Sequence, residues 1–345
     1  MQGIEIGTDS KIFIVVPAGV VTGGVELLHQ LCDTLIRYGA QAYVVYYGSS
    51  PHRIPDDYKK YRLKLAESIE DNVKNILVIP EVSFDMVSDV KNIQILVWWL
   101  SVDNYFLHFF GSVYDNFRFS PIFCLERVVR EFFDTLFLHK IYKKYPLKKI
   151  ALNKNIVCHA YQSEYANDFL KRNGIEDAMP LSDYVNEDYA FVPEMVRQKE
   201  NIVIYNPKKG LRFSKRLIAA APDLQWIPIQ NMSREKVKET MLRAKLYIDF
   251  GHFPGKDRMP REAALCGCCI IMGKLGAAGF AQDFPIDESK YKFSQRNSDI
   301  PQIIGAIRTV LEHYETIIND FASYREKISH EKAEFEKAVK ELRLV

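Results

Sequence analysis

The sequence is short of the patterns that mark several common kinds of functional site. It has no G-x-G-x-x-G, so a dinucleotide-binding fingerprint is not supported. The cysteines lack the paired C-x-x-C spacing of a zinc site, and no D-x-D cluster stands where a metal would be expected. The six cysteines are therefore predicted to be small core residues in a reducing compartment: Cys32, Cys124, Cys158, Cys266, Cys268 and Cys269.

Targeting signals are also missing from the sequence. No charged, apolar and small-residue signal stands at the N-terminus, and no apolar run approaches about 18 residues. The net charge of +2 gives no general argument for nucleic acid, because a basic footprint needs local clustering. We therefore expect a cytoplasmic protein that does not bind nucleic acid.

The length and composition fit a soluble α/β protein with more than one domain. A chain of 345 residues is long for one core, and 48% hydrophobic with 26% charged residues is ordinary for globular proteins. Strand and helix patterns alternate along the chain, and a polar stretch without periodicity separates two such series. The sequence predicts an N-terminal domain over 1–186, a linker over 187–200, a C-terminal domain over 201–320 and a C-terminal helix over 321–345.

Residues 245–273, KLYIDFGHFPGKDRMPREAALCGCCIIMG, have the pattern of a βαβ unit. The apolar run KLYIDF is typical of a parallel strand covered on both faces. Gly251 ends that strand, Pro260 suits the first turn of a helix, and Gly267 suits its end. The loop 251–259 then lies at the carboxyl end of a strand and before a helix N-terminus, which favours an anion such as a phosphate.

Charged side chains in this segment agree with an anionic ligand. Lys256 and Arg258 add positive charge, and Glu262 can accept hydrogen bonds from sugar hydroxyls. The same charges also suit a solvated turn, with Glu262 favouring the helix dipole. The segment alone leaves both interpretations open.

The N-terminal domain begins with another βαβ pattern, KIFIVVP, a helix and AYVVYY. Gly23 and Gly24 at its first turn allow backbone amides to approach a ligand closely, although a tight turn with no ligand has the same composition. Asp103 follows the strand IQILVWWLS and His159 lies near the end of the strand KNIVCHAY. Each is placed where a general base can act, and Asp is also an ordinary turn residue.

An aromatic and then basic segment extends over 127–154. Phe132, Phe133, Leu136 and Phe137 precede five lysines: Lys140, Lys143, Lys144, Lys148 and Lys149. Such a segment can lie on an anionic membrane surface, and it can equally bury the apolar residues while the lysines face solvent.

In the C-terminal domain, the strand NIVIYN is followed by the loop PKKG, which carries Lys208 and Lys209. Loops that follow neighbouring parallel strands open at the same edge of a sheet. We therefore expect these lysines to converge with Lys256 and Arg258 on one anionic site.

Taken in order, these segments resemble the GT-B glycosyltransferases. GGVELLHQL is similar to the start of that family's first helix, and QSEYANDFLKRNG is similar to its S-x6-L-x3-G segment. NPKKG resembles its phosphate-binding lysine loop, and residues 244–271 resemble its strand, donor loop and Glu-containing helix. The resemblance implies two facing Rossmann-like domains with parallel sheets, and C-terminal helices that pack back toward the first domain.

The resemblance also implies roles for individual residues around a nucleotide-sugar donor. Lys209 would bind the diphosphate, Glu262 the ribose hydroxyls, and Met259 with Arg258 the phosphate or sugar. Gln230, in IPIQNM, would flank the base. The donor-binding set implied by the resemblance and the loop charges is Lys208, Lys209, Gln230, Lys256, Arg258, Met259 and Glu262, with Gly23 and Gly24 lining the cleft.

The chain departs from the family pattern at two places. Retaining members often carry a Glu-x7-Glu pair, and Pro254 stands where the first glutamate belongs. His252 and Asp257 are candidates to replace that carboxylate. The arginine that usually precedes the lysine loop is missing, and Lys208 is its possible substitute.

The predicted function is transfer of a sugar from a nucleotide-sugar to a glycan or glycolipid acceptor in bacterial-type surface polysaccharide synthesis. The resemblance implies no cofactor and no metal, because cationic side chains and helix N-termini stabilise the leaving nucleoside diphosphate. The catalytic candidates are Asp103, His159 and His252. The alternative is a catalytically degenerate GT-B domain that binds a glycan or a partner, which the missing carboxylate at Pro254 favours.

Overall fold

The fold is described from a computed structural model of the chain. It describes Ile4, residues 7–48, Ser50, residues 52–108 and 152–342, and ten positions within 109–151: Leu125, Val128, Val129, Phe132, Phe133, Asp134, Leu136, Phe137, Leu147 and Ile150. The lysines of the predicted membrane segment, Lys140, Lys143, Lys144, Lys148 and Lys149, lie outside the described residues.

The chain forms two compact units. The first contains Met1–Ser182 and Phe335–Val345, and the second contains Asp183–Glu334. The domain boundary predicted at residue 186 therefore falls just inside the second unit, because Asp183 is already held there by a buried ion pair with Arg261. The final residues, from Phe335, cluster with the first unit, as the predicted packing of the C-terminal helix requires.

The first unit is built on a parallel sheet of six strands in the order β2-β1-β3-β4-β5-β6. Most of the strand residues are buried, because helices and turns cover both faces of a parallel sheet. The strands are β1 (Lys11–Pro17), β2 (Gln41–Tyr47), β3 (Ile76–Pro80), β4 (Gln94–Trp99), β5 (Ile156–Tyr161) and β6 (Met179–Pro180).

Three helices of the first unit follow strands of this sheet. They are α1 (Gly23–Arg37), α2 (Val102–His108) and α3 (Glu164–Arg172). The side chains of Thr22 and Ser163 cap α1 and α3 by accepting backbone N–H bonds at 3.4 and 3.3 Å. Between β3 and β4 the chain forms 3-10 turns over Glu81–Asp89.

The second unit holds a parallel sheet of five strands in the order β11-β10-β9-β7-β8. Its strands are β7 (Glu200–Tyr205), β8 (Gln225–Pro228), β9 (Ala244–Asp249), β10 (Cys269–Gly273) and β11 (Lys292–Phe293). Its helices are α4 (Leu211–Ala220), α5 (Arg234–Arg243), α6 (Arg258–Leu265), α7 (Glu288–Tyr291), α8 (Ile300–Glu312) and α9 (Tyr314–Ile317).

The last helix, α10 (Ala322–Glu341), contributes to both units. Within the first unit, the ring of its Phe335 stacks on Trp98 with centroids 6.4 Å apart. Trp98 also donates its indole N–H to the Leu181 carbonyl at 2.9 Å. These contacts explain why the C-terminal residues cluster with the first sheet.

The central strand of the second sheet fixes where its loops open. Strand β9 lies between β7 and β10, and Ile248 is in register with Tyr205 on one side and Ile271 on the other. The three strands therefore end at the same level. The loops that follow them share the carboxyl edge of the sheet, as the sequence predicted.

Candidate functional site

Two glycines bring the loop after β7 against the loop after β9. A Cβ atom on Gly251 would lie 2.3 Å from Lys209 Cβ, and one on Gly210 would lie 2.3 Å from the Phe250 carbonyl oxygen. Gly210 also has φ of +62°, a left-handed conformation that side chains disfavour. Only glycine at both positions permits this approach, which places Lys209 beside the second loop.

Lys209 and Asp257 form an ion pair across these two loops. The ammonium of Lys209 contacts the Asp257 carboxylate and lies 5.5 Å from the centroid of the Phe253 ring. The two side chains are 29% and 23% exposed, so solvent and a small ligand can reach the pair. Burial raises the pKa of Asp257, and the neighbouring Lys209 ammonium opposes that rise.

Asp257 also stands at the N-cap position of α6. Its carboxylate makes no capping hydrogen bond, because it is turned to Lys209 instead. The first turn of α6 therefore offers backbone N–H groups and the positive end of the helix dipole beside the Lys209 ammonium. This combination is suited to an anionic oxygen ligand.

A second carboxylate, Asp249, ends strand β9 close to the pair. It is 2% exposed and accepts hydrogen bonds from the Tyr247 hydroxyl at 2.8 Å and the Gly251 N–H at 2.9 Å. Burial raises its pKa to about 6. Asp249 was not among the predicted site residues, and its only signal in the sequence is a carboxylate at the end of an apolar strand, two residues before Gly251.

Arg261, one turn into α6, holds the loop before the helix in place through hydrogen bonds. Its guanidinium is fully buried and donates to Asp183 and Glu331 at 2.7 Å each. It also donates to the backbone carbonyls of Lys256 at 2.8 Å and Asp257 at 3.2 Å. Two carboxylates and two loop carbonyls thus fix the position of Asp257.

Lys256 and Arg258, predicted to face the ligand, take part in this buried network. Lys256 Nζ lies 2.9 Å from Glu331 Oε1, with both side chains almost fully buried. Arg258 Nε lies 3.5 Å from Asp183 Oδ2. Burial alone would raise the pKa of Asp183, but Arg261, Arg258 and Lys256 hold it well below its ordinary value.

The other predicted donor residues lie around the same edge of the second sheet. Lys208 follows β7, Gln230 follows β8 and His252 follows β9, and all three are exposed. Met259 and Glu262 are half-buried on α6. The structure therefore places the whole set on the loops and the helix that the sequence predicted, with Lys256 in a buried ion pair.

In the first unit, the predicted residues of the loops lie at the carboxyl edge of the sheet, after strands β1 and β4. Gly23 is exposed and Gly24 half-buried at the start of α1, where a Cβ on Gly24 would lie 3.7 Å from Leu100 Cδ1. Asp103 is half-buried in the first turn of α2 and accepts a hydrogen bond from the Tyr165 hydroxyl at 3.0 Å. These positions are reachable from solvent.

His159 has a different environment. It is 3% exposed, its Nδ1 accepts the indole N–H of Trp99 at 3.1 Å, and burial lowers its pKa to about 4. Its imidazole is therefore neutral near pH 7 and enclosed in the core of the first unit.

Glu81, which was not among the predicted site residues, directly follows β3 at the same edge. It is 1% exposed and accepts the Leu100 N–H at 2.9 Å, and burial raises its pKa to about 7. Its carboxylate holds the turn between β4 and α2 that carries Asp103. The sequence signal that could have identified Glu81 is a glutamate immediately after an apolar strand.

Metal-binding clusters and membrane-spanning helices are absent from the part of the chain that the structure describes. Within it, no group of three or more His, Cys, Asp or Glu side chains could hold a metal ion. None of its helices combines the length and the apolar character needed to cross a membrane.

Comparison with known proteins gives a match in structure and none in sequence. No family model matches the chain, and no curated protein matches its sequence. Sucrose-phosphate synthase (tll1590) from Thermosynechococcus elongatus matches with a TM-score of 0.62 and 12% identity over 96% of this chain and 98% of that chain. Alr3699/HepE from Anabaena, solved with UDP and glucose, matches with a TM-score of 0.59 and 11% identity over the same shares.

A glycosyltransferase from Rickettsia africae matches with a TM-score of 0.53 and 13% identity, over 96% of this chain and 98% of that chain. Similarity at such low identity establishes the fold and leaves the activity to be argued from the site. Two parallel α/β units and these neighbours agree with the fold that the sequence motifs predicted. The chain has the GT-B fold of the glycosyltransferases.

Proposed function

We propose that the chain is a glycosyltransferase that moves a sugar, a hexose or a related one, from a nucleotide-sugar donor to a glycan or glycolipid acceptor. The observation that carries this proposal is the arrangement of Lys209, Asp257 and the N-terminus of α6. It presents a cation, a carboxylate and backbone N–H groups together at the carboxyl edge of the second sheet. A nucleotide-sugar has complementary groups, namely a diphosphate and sugar hydroxyls.

In the proposed donor complex, Lys209 and the first turn of α6 bind the diphosphate. As the bond between the anomeric carbon and the phosphate oxygen breaks, the nucleoside diphosphate leaves with its electron pair. The ammonium and the helix dipole stabilise the charge that develops on it, so transfer is proposed to need no metal. Glu262, half-buried on the same helix, is proposed to bind the ribose hydroxyls.

Asp257 is proposed to accept hydrogen bonds from the donor sugar. It would substitute for the glutamate that the family pattern has at position 254, where this chain has Pro254. It is fixed by Arg261 and lies at the same loop. Its location favours an active enzyme over a degenerate binding domain, because the carboxylate function is retained at another position. Lys256 and Arg258 are proposed to hold the loop, since they contact Glu331 and Asp183.

Asp103 is the proposed base for the acceptor hydroxyl if transfer inverts the anomeric centre. It is half-buried and reachable, whereas His159 is enclosed and already accepts a hydrogen bond from Trp99. If transfer retains configuration, the leaving phosphate oxygen takes the proton instead.

UDP is the first nucleotide to test. HepE from Anabaena was solved with UDP and glucose, and an α-glucosyltransferase that matches at 10% identity with a TM-score of 0.55 was solved with UDP and DNA. The acceptor of the present chain is proposed to be a growing surface polysaccharide or its lipid-linked precursor.

The protein is proposed to work in the cytoplasm, on the inner face of the cell membrane. Four apolar side chains, Phe132, Phe133, Leu136 and Phe137, are each more than half exposed. Phe133 and Phe137 stack with ring centroids 5.7 Å apart. Such a surface, followed in the sequence by five lysines, has the composition of an interfacial membrane contact.

The test is thermal stability of the purified protein with UDP, GDP, ADP, dTDP and CMP. One nucleotide at 100 times its dissociation constant should stabilise the protein by about 2.7 kcal/mol. Lys209→Ala and Glu262→Ala should lose the response. Lys236→Ala, which removes an exposed lysine paired with Glu239 on α5, should keep it.

Transfer is then measured with a sugar donor that carries the nucleotide that responds. Release of the free nucleotide on addition of acceptor supports the enzyme, and an unchanged rate with EDTA supports metal-independent transfer. Nucleotide binding with no turnover on any acceptor would favour the degenerate binding domain. No response to any of the five nucleotides would contradict the proposed donor site.

A further inference from the structure

The second unit contains a cavity away from the donor loops. Its volume is about 590 Å³, and its walls come from residues 184–191, the end of α6 and helix α10. Tyr184, Tyr189 and Phe191 line it on one side, with Leu265 and Ile328 as apolar neighbours. A volume and lining of this kind fit a small molecule.

Arg325 is the unusual member of this lining. It is 8% exposed, and its guanidinium stacks over the Phe191 ring, 4.1 Å from the centroid. Its one hydrogen bond among the described residues goes from Nη1 to the Ile318 carbonyl at 3.0 Å. No carboxylate of the described residues lies within ion-pair distance of it.

Among the described residues, Arg325 lacks the carboxylate partners that Arg261 has. Arg261, which is fully buried in the same unit, has two carboxylate partners. A buried charge without a counter-ion is costly, and burial lowers the pKa of Arg325 accordingly. A guanidinium that is stacked on an aromatic ring and keeps free N–H groups is well prepared to bind a carboxylate or a phosphate.

The remaining charges of the lining do not neutralise Arg325. Glu187 is engaged by Lys332, with Oε1 and Nζ 2.5 Å apart. Glu326 is exposed, and the groups that act electrostatically on Arg325 are the Cys269 thiol and the Tyr314 hydroxyl. The cavity therefore presents one uncompensated cation among aromatic walls.

We propose that this cavity is a second binding site, for a small molecule that joins a carboxylate or phosphate to an aromatic or apolar body. Arg325 binds the oxyanion, and the tyrosines with Phe191, Leu265 and Ile328 cover the body. The site is separate from the proposed donor site, and none of the donor residues lines it.

The probes are benzoate and phenyl phosphate, which distinguish the two head groups, with benzyl alcohol as the neutral control. Their binding to the full chain is titrated by ligand-observed NMR. We expect saturable binding of at least one anion in the millimolar range or tighter, and at least about tenfold weaker binding of benzyl alcohol.

Arg325→Gln should weaken anion binding by about tenfold to a hundredfold. Ser329→Trp changes an exposed lining position and fills the cavity, so it should abolish binding while Arg325 remains. The matched control is Arg308→Gln, which removes an exposed arginine of the same unit and should bind as the wild type does. Lys209→Ala should also bind normally, which separates this site from the donor site.

Three results would overturn the proposal. They are the absence of saturable anion binding up to about 10 mM, equal binding of benzyl alcohol, and undiminished anion binding in both Arg325→Gln and Ser329→Trp. None of these depends on nucleotide binding, so failure here leaves the proposed transferase function untouched.

Discussion

Arg261 and Asp183 form an ion pair that is almost completely removed from water, with Nη2 and Oδ2 2.7 Å apart and side chains 0% and 1% exposed. Asp183→Asn would leave a cluster of three cations with one fewer charge to balance them. We expect the free energy of unfolding of the second unit to fall by about 3 kcal/mol. Urea denaturation followed by circular dichroism measures the change.

The matched control for this prediction is Asp223→Asn. It breaks the exposed pair of Asp223 and Arg308, whose side chains are 57% and 48% exposed with 2.8 Å between the charged atoms. A surface pair is worth less than about 1 kcal/mol, so this variant should unfold nearly as the wild type does. Equal effects of the two substitutions would contradict the role assigned to burial.

Part of this site follows directly from the sequence. The apolar run of β9, Gly251 at its end and Gly267 after α6 are local signals, and they correctly predict a strand, a loop and a helix over 244–265. Parallel strands then require that the loops after β7 and β9 share one edge. The fold and the approximate place of the site are thus encoded in short stretches of the chain.

Other features depend on contacts between distant residues. Arg261 reaches Asp183 and Glu331, which are 78 and 70 residues away, and no local pattern marks those partners. In the sequence, Lys256 has the pattern of an exposed loop lysine, and only the structure shows its buried ion pair with Glu331. His159 lies near the end of a strand, where side chains are often accessible to solvent, but it is buried and hydrogen-bonded to Trp99. Such tertiary packing cannot be deduced from spacing.

Asp257→Asn should strengthen the binding of a nucleoside diphosphate. The Asp257 carboxylate is paired with the Lys209 ammonium and would repel a diphosphate. It makes no helix-capping hydrogen bond that the substitution could break. We expect UDP, or the nucleotide identified above, to bind about three to ten times more tightly, while sugar transfer slows. Calorimetric titration and a transfer assay measure the two effects.

Glu239→Gln is the control for this experiment. It breaks an exposed pair between Glu239 and Lys236, 2.9 Å apart on α5, and should leave nucleotide affinity unchanged. Weaker nucleotide binding in Asp257→Asn would show that the carboxylate supports the diphosphate site and does not compete for Lys209.

Gly210→Ala should destabilise the second unit by more than about 2 kcal/mol. Its backbone has φ of +62°, and the new Cβ would lie 2.3 Å from the Phe250 carbonyl oxygen. Gly305→Ala is the opposite case, because that glycine is inside α8 and has nothing within 4 Å of the added Cβ. It should stabilise by about 0.5 to 1 kcal/mol. Thermal denaturation of both variants gives the comparison, and destabilisation by both would refute the steric argument.

Replacing Phe132 and Phe137 with serine should weaken binding to anionic vesicles. These side chains are 63% and 66% exposed, so their removal costs little folding energy but takes apolar area from the proposed membrane surface. Cosedimentation with phosphatidylglycerol vesicles should show at least about tenfold weaker binding. Val73→Ser, at another apolar side chain that is 63% exposed, should bind normally. If the double variant sediments as the wild type does, these phenylalanines do not contact the membrane.

His159 makes the stability of the first unit depend on pH. Its pKa is lowered by burial from 6.5 to about 4, so the unfolded state takes up a proton between these values and the folded state does not. Stability is therefore full above pH 6.5 and falls as the pH drops toward 4, by about 2 to 3 kcal/mol from this residue. His159→Gln keeps an acceptor for Trp99 and should remove that part of the pH dependence. The comparison uses urea denaturation at several pH values in a Trp226→Phe background, in which the remaining tryptophans, Trp98 and Trp99, report only on the first unit. Identical pH profiles of the two proteins would show that the pKa of His159 is the same in the folded and unfolded states, which would contradict the prediction.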